Sequence, residues 1–162
     1  MVYVGNPFDG GRRAKTMRSV LESAARAFCQ SDHIKNVCDG VWVTLQDENG
    51  NELRGIRGRI GAASVSLTGH EIGVDLIEMQ PGSAFPLHVH PGDHILFVLK
   101  GAGCVSIDSV DHTVKEGDTI FIPAEYPHGV KTIPEYEFPF TFLAFGHPHK
   151  HLSAPDRMRI VE

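Results

Sequence analysis

From position 41 onward, apolar and polar residues alternate in short runs, a period that predicts strands rather than helices. Residues 41–46 and 52–60 flank Asp47-Glu48-Asn49-Gly50-Asn51, whose Asn-Gly pair supplies the positive φ of a hairpin turn. Residues 63–68 alternate small and apolar side chains. Residues 72–79 form a strand that stops at Pro81-Gly82, and 94–100 a strong one that ends at Gly101-Ala102-Gly103. Shorter strands over 104–109, 112–115, 119–123 and 129–133 are separated by Glu116-Gly117-Asp118 and Ala124-Glu125-Tyr126-Pro127. A long apolar strand over 137–145 follows. Short strands punctuated by Gly and Pro predict an all-β sandwich or barrel. Upstream the period changes: Met17, Val20, Leu21, Ala24, Ala25 and Phe28 recur at spacings of three and four. That stripe predicts one helix over 14–29, packed on the barrel or on a second subunit. With no internal repeat and no linker, the chain divides into an N-terminal segment (1–40), a barrel (41–146) and a tail (147–162).

Composition narrows the class. The 162 residues are 41% hydrophobic and 22% charged, which suits a globular domain that buries its own core. A net charge of -5 without any Lys/Arg run argues against nucleic acid or an anionic membrane as partner. No apolar stretch approaches the roughly 18 residues of a membrane span, and the opening MVYVGNPF has neither the basic start nor the apolar run of a secretory leader. Cys29, Cys38 and Cys104 are odd in number and widely spaced, which argues against a disulfide framework or a thiolate zinc site; they read as small apolar filler. These features predict a reducing, cytoplasmic setting.

The ten histidines carry the chemistry. His88 and His90 are two apart, so an extended strand points both to one face. Pro91-Gly92 interrupts that strand and His94 opens the next, where Leu96 and Val98 follow it inward. His128 comes after a turn built on Pro123 and Pro127. Folding these two hairpins together brings four imidazoles around one point.

The punctuation around them is specific. Gly82 is followed by five residues and His88, one residue and His90, three residues and His94, six residues and Gly101. Further on, Gly117 is followed by five residues and Pro123, one residue and Glu125, two residues and His128. This pattern resembles both motifs of the cupin superfamily, in order. The resemblance implies a jelly-roll barrel (a double-stranded β-helix) with a metal inside its mouth, and a homodimer. His88, His90 and His128 fall on family ligand positions. His94 stands where the family has Glu, Glu125 where it has Gly, and Thr132 where it has Asn; the last two alter local turn geometry, the first the chemistry. Four neutral imidazoles leave a divalent ion at +2 rather than +1, which favours an anionic, chelating small molecule. Imidazole suits Fe, Mn, Ni, Zn, Cu and Co alike, with Fe(II) the favoured ion.

The resemblance and the positions left open on such an ion imply an O2-using dioxygenase acting on a small enolisable or phenolic substrate. The alternatives are a non-redox lyase, decarboxylase, isomerase or cyclase, and a binding module without turnover. Tyr126, in the turn before His128, is the candidate acid or hydrogen-bond donor, against the plainer reading of an exposed turn residue. His147, His149 and His151 share one face of an extended segment and read as a solvated tail, with metal capture as the alternative. His70 and His112 read as surface. Trp42, Phe97, Phe121, Phe140 and Phe142 read as core. Arg54, Arg57 and Arg59 alternate as the solvent face of an edge strand, with attraction of a carboxylate as the alternative.

Overall fold

The computed structural model describes Gln30 and residues 34–63 and 71–161 of the chain. The helix expected over 14–29, Cys29, His70 and most of the strand expected over 63–68 lie outside the described residues. Eleven strands follow in chain order: β1 (Val43–Gln46), β2 (Glu52–Ala63), β3 (Gly73–Met79), β4 (Ala84–Val89), β5 (Asp93–Lys100), β6 (Ala102–Ile107), β7 (Val110–Lys115), β8 (Thr119–Ile122), β9 (His128–Thr132), β10 (Phe140–His147) and β11 (Arg159–Ile160). They form a six-stranded sheet ordered β1-β2-β3-β10-β5-β8 and a five-stranded sheet ordered β11-β4-β9-β6-β7. The two antiparallel sheets make the jelly-roll architecture that the sequence implied. Among the described residues no helix is long and apolar enough to cross a membrane.

The period of two decides which side chains enter the core. On β10, Phe140, Phe142 and Ala144 are buried; on β5, Leu96 and Val98; on β3, Ile77 and Met79. Phe85, Val105 and Val130 of the other sheet join them in one cluster. Each such burial contributes about 1.5–3 kcal/mol of transfer free energy, an upper figure because unfolded chains are already partly collapsed.

The same parity corrects part of the expected core. Phe140 and Phe142 are inside, their rings 5.2 Å apart. Phe97 lies out of phase with Leu96 and Val98 and is half-buried, and Phe121, out of phase with the buried Ile122, is 60% exposed. Trp42 is also outside the core: the guanidinium groups of Arg57 and Arg59 each lie 4.1 Å from its ring centroid. Arg57 additionally pairs with Glu78, and Arg59 donates to the Cys38 carbonyl. The strand carrying them is flanked by β1 and so is not an edge strand. Cys38 is exposed rather than filler, and both it and Cys104 are free thiols.

The tail is only partly solvated. β11 pairs with β4, Arg159 opposite Val89 and Ile160 opposite His88. Leu152, Arg157 and Met158 are buried. The tail therefore completes the sheet that carries His88.

Candidate metal centre

β4 and β9 run antiparallel with His88 directly opposite His128. Opposed residues of such a pair share a face, so two histidines forty positions apart meet with ring centroids 4.3 Å apart. His90, two residues beyond His88, turns to the same side, and the Nε2 atoms of His88 and His90 are 3.0 Å apart. One ring nitrogen each of His88, His90 and His128 lies within 4.8 Å of the others, and all three residues are buried.

The opposite edge of each ring fixes its tautomer. His88 Nδ1 donates to the Pro86 carbonyl (2.7 Å), His90 Nδ1 to that of Arg157 (2.8 Å) and His128 Nδ1 to that of Tyr126 (2.9 Å). A carbonyl only accepts, so each Nδ1 carries the hydrogen and each Nε2 presents a lone pair. Burial holds all three imidazoles neutral: the His88 pKa falls well below 6.5, that of His90 to about 2, and that of His128 below its usual value. The neighbouring imidazoles add to the effect at His88 and His90. With both Nδ1 hydrogens committed, the 3.0 Å contact between His88 and His90 sets two lone pairs against each other. A cation between them relieves that repulsion. Metal–nitrogen bonds of about 2.1 Å meeting at a right angle span an edge of about 3.0 Å, so the donor set fits a divalent transition metal. A cavity of about 20 Å³ lies between these rings and the apolar walls of Phe85, Leu96 and Phe142, room for about one ion or water.

His94 stands apart from this convergence. It faces inward on β5, as the sequence predicts, but its ring stacks on that of His90, with centroids 4.0 Å apart and planes 12° apart. It borders the same cavity, and burial lowers its pKa to about 3. Its partner on β10 is Gly146. Tyr126 does not line the cavity. Its hydroxyl donates to Asp108 Oδ2 (2.7 Å), a bond that raises its pKa above 10, while its main chain anchors His128. Glu125 adopts φ 58°, a left-handed conformation natural to the glycine it replaces, and its N–H donates to the His90 carbonyl (2.7 Å). The departure at Glu125 therefore leaves the turn's conformation intact.

Two buried polar residues, Asp75 and Arg157, escaped the sequence reading. Asp75, 2% exposed, accepts from His149 Nε2 (3.0 Å) and, at 3.4 Å, from the Gly61 N–H. His149 thus corrects the solvated-tail expectation, whereas His147 and His151 are exposed. Arg157 lies beside both the histidine cavity and the Asp75–His149 pair. Asp75 had left a signal, an acid in phase with the inward Ile77 and Met79. Arg157 had none, because nothing in its local pattern shows where the tail packs.

Residues 75–145 match the Cupin domain family. Over 68 residues the chain is 35% identical to an uncharacterised protein of Methanocaldococcus jannaschii, covering 41% of this chain and 53% of that one. Over 60 residues it is 33% identical to dimethylsulfoniopropionate lyase DddW of Ruegeria pomeroyi, covering 37% and 40%. The chain thus spans about half or less of the length of these curated relatives. Among solved structures, the polyketide cyclase RemF from Streptomyces resistomycificus superposes with a TM-score of 0.62 at 20% identity, over 79% of this chain and 84% of that one. A cupin-2 domain protein from Rhodospirillum rubrum gives a TM-score of 0.61 at 17% identity, over 86% and 84%. At these identities the structural likeness is one of fold.

Proposed function

We propose, from the match of residues 75–145 to the Cupin domain family, that His88, His90 and His128, with His94 as a fourth donor, hold one divalent transition metal for non-redox chemistry on a small anionic substrate. The observation that carries this reading is the set of three Nδ1 hydrogens tied to main-chain carbonyls, which turns three Nε2 lone pairs toward one another in a buried space. A divalent ion there supplies Lewis-acid stabilisation of negative charge developing on a substrate oxygen. The carbonyls of Pro86, Arg157 and Tyr126 keep the rings in the donor tautomer and orientation. Phe85, Leu96 and Phe142 exclude water and strengthen every charge interaction inside. His94 joins the set by leaving its stack on His90.

The named activities among the similar proteins are those of a lyase and a cyclase, and they favour lyase- or cyclase-type chemistry over the dioxygenase implied by the sequence resemblance, for which Fe(II) is the expected ion. Elemental analysis of protein purified without added metal is expected to give about one transition-metal ion per chain. Turnover of small enolisable carboxylates is expected to be equal with and without oxygen and to survive replacement by zinc. Oxygen consumed in step with turnover would restore the dioxygenase reading.

A further inference from the structure

Arg157 is 8% exposed, and its side chain lines two neighbouring cavities. Its main chain is fully used: the carbonyl accepts from His90 and the N–H donates to Ala154. Its side chain borders the cavity shared by His88, His90, His94 and His128, and on its other side a smaller space beside Asp75 and His149. Asp75 favours its charged form across that space. The two Asp75 oxygens also accept from Gly61 and His149, one bond each. A guanidinium carries five donors in a rigid fork that matches a carboxylate.

We propose that Arg157 is the substrate's carboxylate-binding residue, gripping that group in the fork while a second substrate oxygen faces the histidines. The inference rests on the metal-centre reading and narrows its substrate to a small carboxylate.

The test uses full-length, zinc-loaded protein whose metal content is measured first, with oxalate and imidazole as calorimetric probes. Arg157→Gln is expected to keep its zinc, to bind oxalate about 10–100-fold more weakly than wild type, the span for losing a charge-assisted pair, and to bind imidazole within about twofold of wild type. Arg157→Lys is expected to recover part of the oxalate affinity. Unchanged oxalate binding in zinc-loaded Arg157→Gln would overturn the role of Arg157 alone, as would loss of zinc from that variant or tighter binding of inorganic phosphate than of oxalate by wild type. Wild type that takes up no metal would instead sink the metal-centre reading, and Arg157-dependent oxalate binding by such protein would leave the role of Arg157 standing.

Discussion

His149→Ala removes the partner of an acid that lies 2% exposed on β3. The other hydrogen bond to Asp75, from the Gly61 N–H at 3.4 Å, is long, so the carboxylate is left nearly unsatisfied. A hydrogen bond to a charged group contributes about 1.5–3 kcal/mol, and the space vacated by the imidazole adds to the loss, giving about 2–4 kcal/mol. That is a large share of a typical stability of about 5–15 kcal/mol and lowers the melting temperature by about 5–15 °C for a chain of this size. Gly73 provides the control. A Cβ at Gly73 would stand 2.5 Å from His149 Cγ and 2.6 Å from its Nδ1, so Gly73→Ala has to displace the ring and break the same hydrogen bond. Each single variant is therefore expected to lose about 2–4 kcal/mol in urea denaturation. The double variant is expected to lose little more than His149→Ala alone, since the clash disappears with the ring. Additive losses, or a His149→Ala cost below about 0.5 kcal/mol, would refute the packing of the tail against Asp75.

His88→Ala and His128→Ala each remove one of three converging donors and are expected to weaken metal binding by more than about 100-fold, read by competition with a chromophoric chelator. The metal-free protein is expected to lose stability on acidification. His88, His90, His94 and His128 are held below their ordinary 6.5, so below that pH the unfolded chain takes up protons that the native state refuses. The loss begins near pH 6.5 and continues toward the native values; between pH 7.5 and 5.5 it amounts to about 1.4 kcal/mol each for His88, His90 and His94, about 4 kcal/mol together, with His128 adding in the same direction. A flat urea midpoint across that range in metal-free protein would contradict the buried, neutral assignment. Glu125→Gly is expected to raise stability by about 0.5–1 kcal/mol, because glycine removes the left-handed cost at φ 58° while giving up some unfolded-state entropy; the Arg159 contact it deletes is an exposed pair at 3.8 Å, worth little. A fall in melting temperature would show that this contact matters more than the backbone.

Alternation along the chain was enough to predict an all-β sandwich or barrel, because a period of two assigns faces without knowledge of the partner strand; the jelly roll itself was what the resemblance implied. It placed Leu96, Val98, Phe140 and Phe142 correctly, and spacing alone put His88 and His90 on one face. It also read Phe97 and Phe121 as core from their side chains, when their phase along β5 and β8 already pointed outward. What the sequence could not reach depends on contacts between distant segments. The opposition of His88 and His128 follows from the β4–β9 register, and the choice of ring tautomer from three carbonyls, one of them 67 residues away at Arg157. That His94 stacks on His90 instead of converging with the other three rings depends on where the β4 and β5 side chains meet in the fold. The tail shows the same limit most clearly. Its three alternating histidines look alike in sequence, yet only His149 meets a buried acid, 74 residues away. Arg157 gains its meaning only because that tail folds back beside the metal cavity.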